Sequence, residues 1–152
     1  MTLFTGMNTT ASALTAQRLR MDVISSNMAN VDTTRGKMVD GEWQPYQRKS
    51  VVMEPKGNQF SSFLNQAMNT RDGHTAGGVQ VSRIEEDEQT PFKMVYDPEH
   101  PDANDEGYVS LPNVDPLREM VDLISATRSY EANVTVFNAN KAMLMKSLEI
   151  GK

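Results

Sequence analysis

The 152-residue chain has a formal net charge of −5 and no cysteine, which removes disulfides and thiolate chemistry and fits a cytosolic protein or one exported without oxidative folding. Charge is uneven: residues 61–116 hold 3 Lys and Arg against 11 Asp and Glu, while both ends are near neutral. With no basic stripe to release counterions from phosphates, nucleic-acid binding is excluded as a function class. One domain is the expectation at this length, with a core if the helices fold back on it. No basic stretch leads into an apolar run near the N-terminus, and no segment approaches the roughly 20 apolar residues of a membrane span. Neither a cleaved secretory signal nor a transmembrane segment is therefore expected.

Residues 1–30 read as a helix. Phe4, Met7, Ala11, Leu14, Met21, Ile24 and Met28 recur at helical spacing, with Arg18 interrupting the stripe. The opening turns are rich in Thr and Asn, so this helix is marginal alone and needs a partner. Asn30 to Gly36 is a stop-and-turn signal. Residues 37–54 turn β-like, through Trp43, Tyr46 and the run Ser50 to Met53, bounded by Gly41, Pro45 and Pro55. Phe60, Phe63, Leu64 and Ala67 space as a short amphipathic helix, and Asn69 to Gly78 reads as a Gly-rich loop. Val79, Val81 and Ile84 alternate as a strand before the acidic run Glu85 to Glu88. Pro91 to Tyr96 is another apolar segment, and Tyr108, Val109 and Leu111 make a last short strand after the Pro- and Asp-rich stretch Asp97 to Gly107.

The last third is the strongest signal. From Met120, alternating steps of three and four give Leu123, Thr127, Tyr130, Val134, Phe137, Lys141, Leu144 and Leu148, with no Gly or Pro from Leu117 to Glu149. That is the stripe of a helix that packs on another helix. Asp115 suits the N-cap, Pro116 the first helical position, and Gly151 lies past the end. Leu117, Val121 and Ile124 add a second stripe in the first turns, so this half is expected to contact two neighbours. The expected fold is α+β, with long N- and C-terminal helices packed as a hairpin or coiled-coil-like pair and a small β-rich insert between them. The expected division is 1–36 and 113–152 as helical segments around a middle segment of 37–112.

Catalytic and metal constellations are weak. Asp102, Asn104, Glu106 and Gly107 match positions one, three, five and six of a calcium loop, but position twelve is Asn113 beside Pro112 rather than a bidentate Glu. A solvated acidic turn is the preferred reading. His74 and His100 lack the His or Cys company that zinc requires. Gly73, Gly77 and Gly78 do not space as a phosphate-binding loop, and the several Ser and Thr have no constellation for nucleophilic catalysis behind them. Neither catalysis nor a cofactor is expected. The polar residues set into the helices carry more information: Asn27 and Asn30 near the end of the first, Asn133 and Asn140, with Glu131 and Lys141, along the last. An amide near a packing seam is satisfied in one alignment only, and so specifies register.

The same residues carry a family resemblance. Asn27-Met28-Ala29-Asn30-Val31-Asp32-Thr33 resembles the Asn-x-Ala-Asn-x-x-Thr signature of bacterial flagellar axial proteins, the rod and hook subunits. Arg128-Ser129-Tyr130-Glu131-Ala132-Asn133 resembles their C-terminal motif. Gly36-Lys37 with Asp40 to Tyr46, then Tyr96 to Pro101, then Gly107 to Val109 with Pro112 to Val114, are similar to the proximal-rod subgroup. Arg35 intervenes where other axial proteins place a Gly and an aromatic, a departure that suits that subgroup.

The resemblance implies a non-enzymatic rod subunit of the flagellar basal body, exported unfolded by the flagellar export apparatus without a cleaved signal. It implies helical assembly through both terminal helices, with the middle segment facing outward as the shaft crosses the envelope. The implied partners are other copies, other rod proteins and the adaptor to the membrane ring. The assembly-interface residues expected on this reading are Leu14, Met21, Ile24, Asn27, Met28, Asn30, Met120, Leu123, Tyr130, Asn133, Val134, Phe137, Leu144 and Leu148. The alternatives are a self-contained helical-hairpin adaptor that binds a partner helix, an acidic calcium module, and a rod subunit placed elsewhere in the shaft.

Overall fold

A computed structural model of the chain describes residues 3–56 and 77–150. The short helix expected at Phe60 to Ala67, and most of the Gly-rich loop with His74, lie outside the described residues. In order, the elements are α1 (Leu3–Ala29), β1 (Lys37–Val39), β2 (Glu42–Gln44), β3 (Lys49–Pro55), β4 (Val79–Glu86), β5 (Lys93–Tyr96), β6 (Tyr108–Leu111) and α2 (Pro116–Ile150). The fold is α+β, two long helices with small strand pairs between them, as the periodicities predict.

Helix α2 has 35 residues, about 50 Å at the usual rise. Its start is set by the expected cap: the Asp115 carboxylate accepts the Leu117 N–H at 3.1 Å, and the Asp115 carbonyl accepts the first intrahelical N–H, from Glu119, at 3.0 Å. Pro116 lacks only an N–H that has no helical partner there. Helix α1 ends without glycine. Asn30 takes over that task, its side-chain amide donating to the Ser26 carbonyl at 2.8 Å while its own N–H reaches the Ser26 and Asn27 carbonyls, each at 3.2 Å. Carbonyls that a helix end leaves orphaned are thus satisfied locally.

The strands form three two-stranded sheets, β1–β2, β3–β4 and β5–β6. In the first, Met38 faces Trp43 across an antiparallel pair, and the joining residues Asp40 and Gly41 have φ of 53° and 90°. Positive φ at both positions is the backbone of the tight two-residue hairpin whose twist matches its strands. In β5–β6, Tyr96 lies opposite Tyr108, and the rings meet edge to face at 5.3 Å.

The described residues gather in two compact units. Unit 1 draws on Met1–Leu19, Val52–Arg83 and Ala126–Lys152, and unit 2 on Arg20–Val51 and Ile84–Ser125. Unit 2 buries Val23, Ile24, Val109, Pro112 and Val114. Unit 1 buries Thr10, Ala16 and Ala126. Its helices come together through small groups: a Cβ placed on Gly6 would lie 3.4 Å from the Asn140 amide nitrogen. Gly78, at φ +123°, lies close enough to α1 that a Cβ would come within 2.4 Å of the Ser12 hydroxyl, which itself accepts the Val79 N–H at 3.1 Å.

Candidate functional site

Asn27 is the centre of unit 2. Only 1% of it is exposed, and its amide uses all four of its hydrogen-bonding positions. The nitrogen donates to the Lys49 carbonyl at 2.8 Å and to Glu119 Oε2 at 3.0 Å; the oxygen accepts the Lys49 N–H at 3.0 Å and the Tyr46 hydroxyl at 3.0 Å. Exchanging an N–H and a C=O with one residue is what a neighbouring strand does. A side chain on α1 thereby acts as the strand partner of the residue that opens β3.

Glu119, on the first turn of α2, is fully buried and its charge is compensated. Arg48 Nε donates to Glu119 Oε1 at 2.6 Å, and Arg48 Nη2 lies 3.6 Å from Asp122, which Arg20 reaches from α1 at 3.4 Å. The Arg48 N–H is taken by Asn113 Oδ1 at 2.7 Å, and the Asn113 amide donates to the Asp87 and Thr90 carbonyls at 2.9 and 3.0 Å. α1, the entry to β3, the turn after β4 and the start of α2 are therefore joined by one satisfied polar network. Removing one member of such a network leaves the others buried without partners, which is why it specifies a single arrangement.

The rest of the N-terminal motif shapes the turn that follows. The Thr33 hydroxyl donates to Asn30 Oδ1 at 3.2 Å, and the Thr33 carbonyl accepts the Tyr46 N–H at 3.0 Å. Arg35 and the acidic loop then explain each other. Asp102 accepts the Thr34 hydroxyl at 2.7 Å and Arg35 Nε at 2.7 Å, with Arg35 Nη2 on the same carboxylate. The Arg35 guanidinium, and then the Thr34 hydroxyl, hold the Asp102 carboxyl below its ordinary pKa, and Asp102 in turn raises Arg35. Asp87 is also held low, first by the Thr90 hydroxyl and then by the Thr90 N–H. Asp102, the first position of the calcium-loop template, is thus engaged by a cation of the protein itself. Among the described residues no group of three His, Cys, Asp or Glu is placed to hold a metal ion.

The expected interface residues separate into three sets. Ile24 and Asn27 are buried inside unit 2. Leu14, Met21, Met28, Asn30, Leu123, Tyr130, Asn133, Val134, Phe137 and Leu144 are half-buried, and Asn133 donates back to the Ser129 carbonyl of its own helix at 2.8 Å. Met120 and Leu148 are exposed. In the first turns of α2 the face turned inward passes through Glu119, one residue off the apolar template that starts at Met120. The reason is Arg48 and Asn27, which make a carboxylate the fitting group at that place. Glu119 and Arg48 carry no motif that marks them, since a buried charge is placed by its partners and those come from distant stretches, while Tyr46 and Asn113 lie in stretches that carry the resemblance but without this role.

The opposite side of α2 is left open. In unit 2, Leu117, Val121 and Ile124 are 74%, 66% and 62% exposed and stand at i, i+4 and i+7 along one face. In unit 1, Val136, Met143, Leu148 and Ile150 are exposed as well. Among the described residues no helix is long and apolar enough to cross a membrane.

Comparison with known proteins accounts for the two ends of the chain and then for all of it. Residues 7–36 match the family described as "Flagella basal body rod protein", and residues 105–150 match "Flagellar basal body rod FlgEFG protein C-terminal". The chain is 64% identical over 152 residues to "Flagellar basal-body rod protein FlgC" of Bacillus subtilis (strain 168), covering 100% of both chains. To the protein of that name in Borreliella burgdorferi it is 45% identical over 157 residues, covering 99% of this chain and 98% of the relative. To that of Escherichia coli O6:H1 it is 44% identical over 141 residues, covering 93% and 92%. The Asn27 interlock and the Thr33 turn fall within the first matched segment, Glu119 and the open face of α2 within the second, and by full-length identity the chain belongs to the FlgC family of flagellar basal-body rod proteins.

Proposed function

We propose that this rod subunit is a non-enzymatic building block of the proximal rod, which assembles helically through α1 and α2. Residues 1–36 and 113–152 supply the rod core on this reading, and 37–112 faces outward. The observation that carries it is the open apolar face of α2, where Leu117, Val121 and Ile124 are each more than half exposed. At about 25 cal/mol per Å² of apolar surface, covering such a face favours association. Neighbouring copies and other rod proteins cover it. Asn27 and Asn30 enter as the residues that shape the subunit, because their side chains are engaged within the chain. Met120, Leu148 and the half-buried stripe from Tyr130 to Leu144 enter as contacts.

The wider setting follows from the same reading: passage through the flagellar export apparatus without a cleaved signal, residence in the envelope-crossing shaft, and contact with the adaptor of the membrane ring. The test is Val121→Glu with Ile124→Glu. The unfolding free energy of the isolated protein in urea is expected to stay within about 0.5 kcal/mol of the parent, since both side chains are exposed. The doubly substituted chain is expected to be missing from isolated basal bodies. A motile strain carrying only that chain would refute the proposal. Tyr130→Asp or Phe137→Asp is expected to block incorporation as well.

A further inference from the structure

Unit 2 carries a second apolar feature that the described residues leave more than half exposed. On the β1–β2 hairpin, Met38 and Trp43 stand side by side across the ladder, 59% and 53% exposed, and Trp43 is the chain's single tryptophan. The hairpin is tied at both ends. Its turn has the tight two-residue geometry, and its base is closed by the Gly36 N–H on the Gln44 carbonyl at 2.8 Å and by Lys37 Nζ on Glu86 at 3.0 Å. A rigid, exposed aromatic beside a thioether is the kind of anchor that dominates protein interfaces, since little entropy is lost when it docks.

We propose that the Met38–Trp43 pair of one copy docks onto the Leu117, Val121 and Ile124 stripe of the next copy. The inference rests on the reading that the chain self-assembles, and names the contact. Two observations choose a second copy as the occupant. The knob and the stripe are different surfaces of the same unit, so pairing them makes a head-to-tail contact that repeats from copy to copy, as an open array requires. Charge agrees: the hairpin tip bears exposed Asp40 and Glu42, while exposed Arg118 flanks the stripe. A Trp buries roughly 150–250 Å², so this contact is small beside the roughly 1,200 Å² or more of a stable pair. It holds within an array, where each copy has several neighbours, and leaves the isolated chain monomeric.

Because the chain has no cysteine, disulfide trapping reads this contact without background. Trp43→Cys and Val121→Cys are placed in one full-length chain that replaces the cell's own copy, and isolated basal bodies are oxidised and run without reductant. A ladder of dimers, trimers and longer species is expected from the double variant. Each single variant is expected to give no ladder, and the two single variants expressed together a dimer only. Met38→Cys with Ile124→Cys provides a second, milder pair in case the first disturbs assembly. Any result without cross-linked multimers from either pair, including a monomer closed on itself by an internal disulfide, overturns the docking. Failure of the self-assembly reading is seen separately, as absence of the unsubstituted chain from basal bodies.

Discussion

In unit 2, polar side chains reach from one element to another: Asn27 to Lys49 and Glu119, Arg48 to Glu119, Arg20 to Asp122. In unit 1, most of those described turn back on their own helix, although Ser12 also accepts the Val79 N–H of β4. Thr9, Thr10, Thr15, Asn133 and Thr135 each donate to the carbonyl four residues earlier, while Gly6 lies close to Asn140 and Ala16 and Ala126 are buried. The contrast separates two jobs that helix pairs perform. A cross-element network has one satisfied alignment, so it specifies register at the expense of desolvating charges. A seam of small groups permits close approach but discriminates little between neighbouring alignments. Unit 2 is the specified part of this protein, and unit 1 the permissive one.

The largest effect that would break this comparison is expected from Arg48→Ala, which strands Glu119 as a buried uncompensated charge. Loss of one partner of a buried pair costs about 3–5 kcal/mol, read as a drop in the urea midpoint followed by Trp43 fluorescence. A loss below about 1 kcal/mol would place this pair with surface ion pairs and erase the contrast. Asn27→Ala comes next, at about 1–3 kcal/mol for the polar groups it orphans. Asn27→Asp should be worse than Asn27→Ala, since it sets a carboxylate against Glu119, and Glu119→Gln should restore part of that loss. A double-mutant cycle without coupling would mean that the two residues do not act together.

Gly78→Ala probes unit 1 by a different route, through a φ of +123° and a contact with Ser12. It is expected to cost about 1–3 kcal/mol. Adding Ser12→Ala should relieve the clash but not the backbone strain, so partial rescue is the expected reading. The smallest effect sharpens the boundary of unit 2. Asp102 has its pKa lowered on folding by Arg35 and Thr34, so its contribution to stability is present above the ordinary carboxylate range and is lost as pH falls through the lowered value. The clamp on the 97–107 loop should therefore persist at pH 5 and open only in stronger acid, below about pH 4. Hydrogen exchange of the loop amides checks this. Asp102→Asn should leave the loop open at neutral pH and remove the acid transition.

What was legible in the sequence is what local periodicity and turn chemistry determine. The two helices, the Asp115 cap and the strands at Val79 and Tyr108 follow from spacing and breakers within a few residues of each other. The β1–β2 hairpin is not among those expectations, which have residues 37–54 as one β-like stretch bounded by Gly41; in the structure Asp40-Gly41 makes its turn. The asparagines stood out as polar groups in helices that had to be satisfied somewhere. Their partners were not legible. Asn27 meets Lys49 and Glu119, 22 and 92 residues away, and the bond to Lys49 is to backbone, which has no side-chain signature. The shift of the inward face of α2 from Met120 to Glu119 has the same origin, because a hydrophobicity template ranks a glutamate outward whatever Arg48 does. The acidic loop reads alone as a solvated turn and Arg35 as a mark of the subgroup, and only their proximity in space joins them through Asp102.

Thr9, Thr10, Ser12 and Thr15 of α1 have a mechanical consequence. Each hydroxyl that folds back onto its own helix competes with the helical bond it sits beside, and such residues are weak helix formers. Among the described residues of its first four turns only Thr10 and Ala16 are buried, so this end of α1 is expected to unwind before the end that carries Asn27. On the proposed assembly, surfaces that close over this segment would supply the rigidity its composition does not, and would set its alignment.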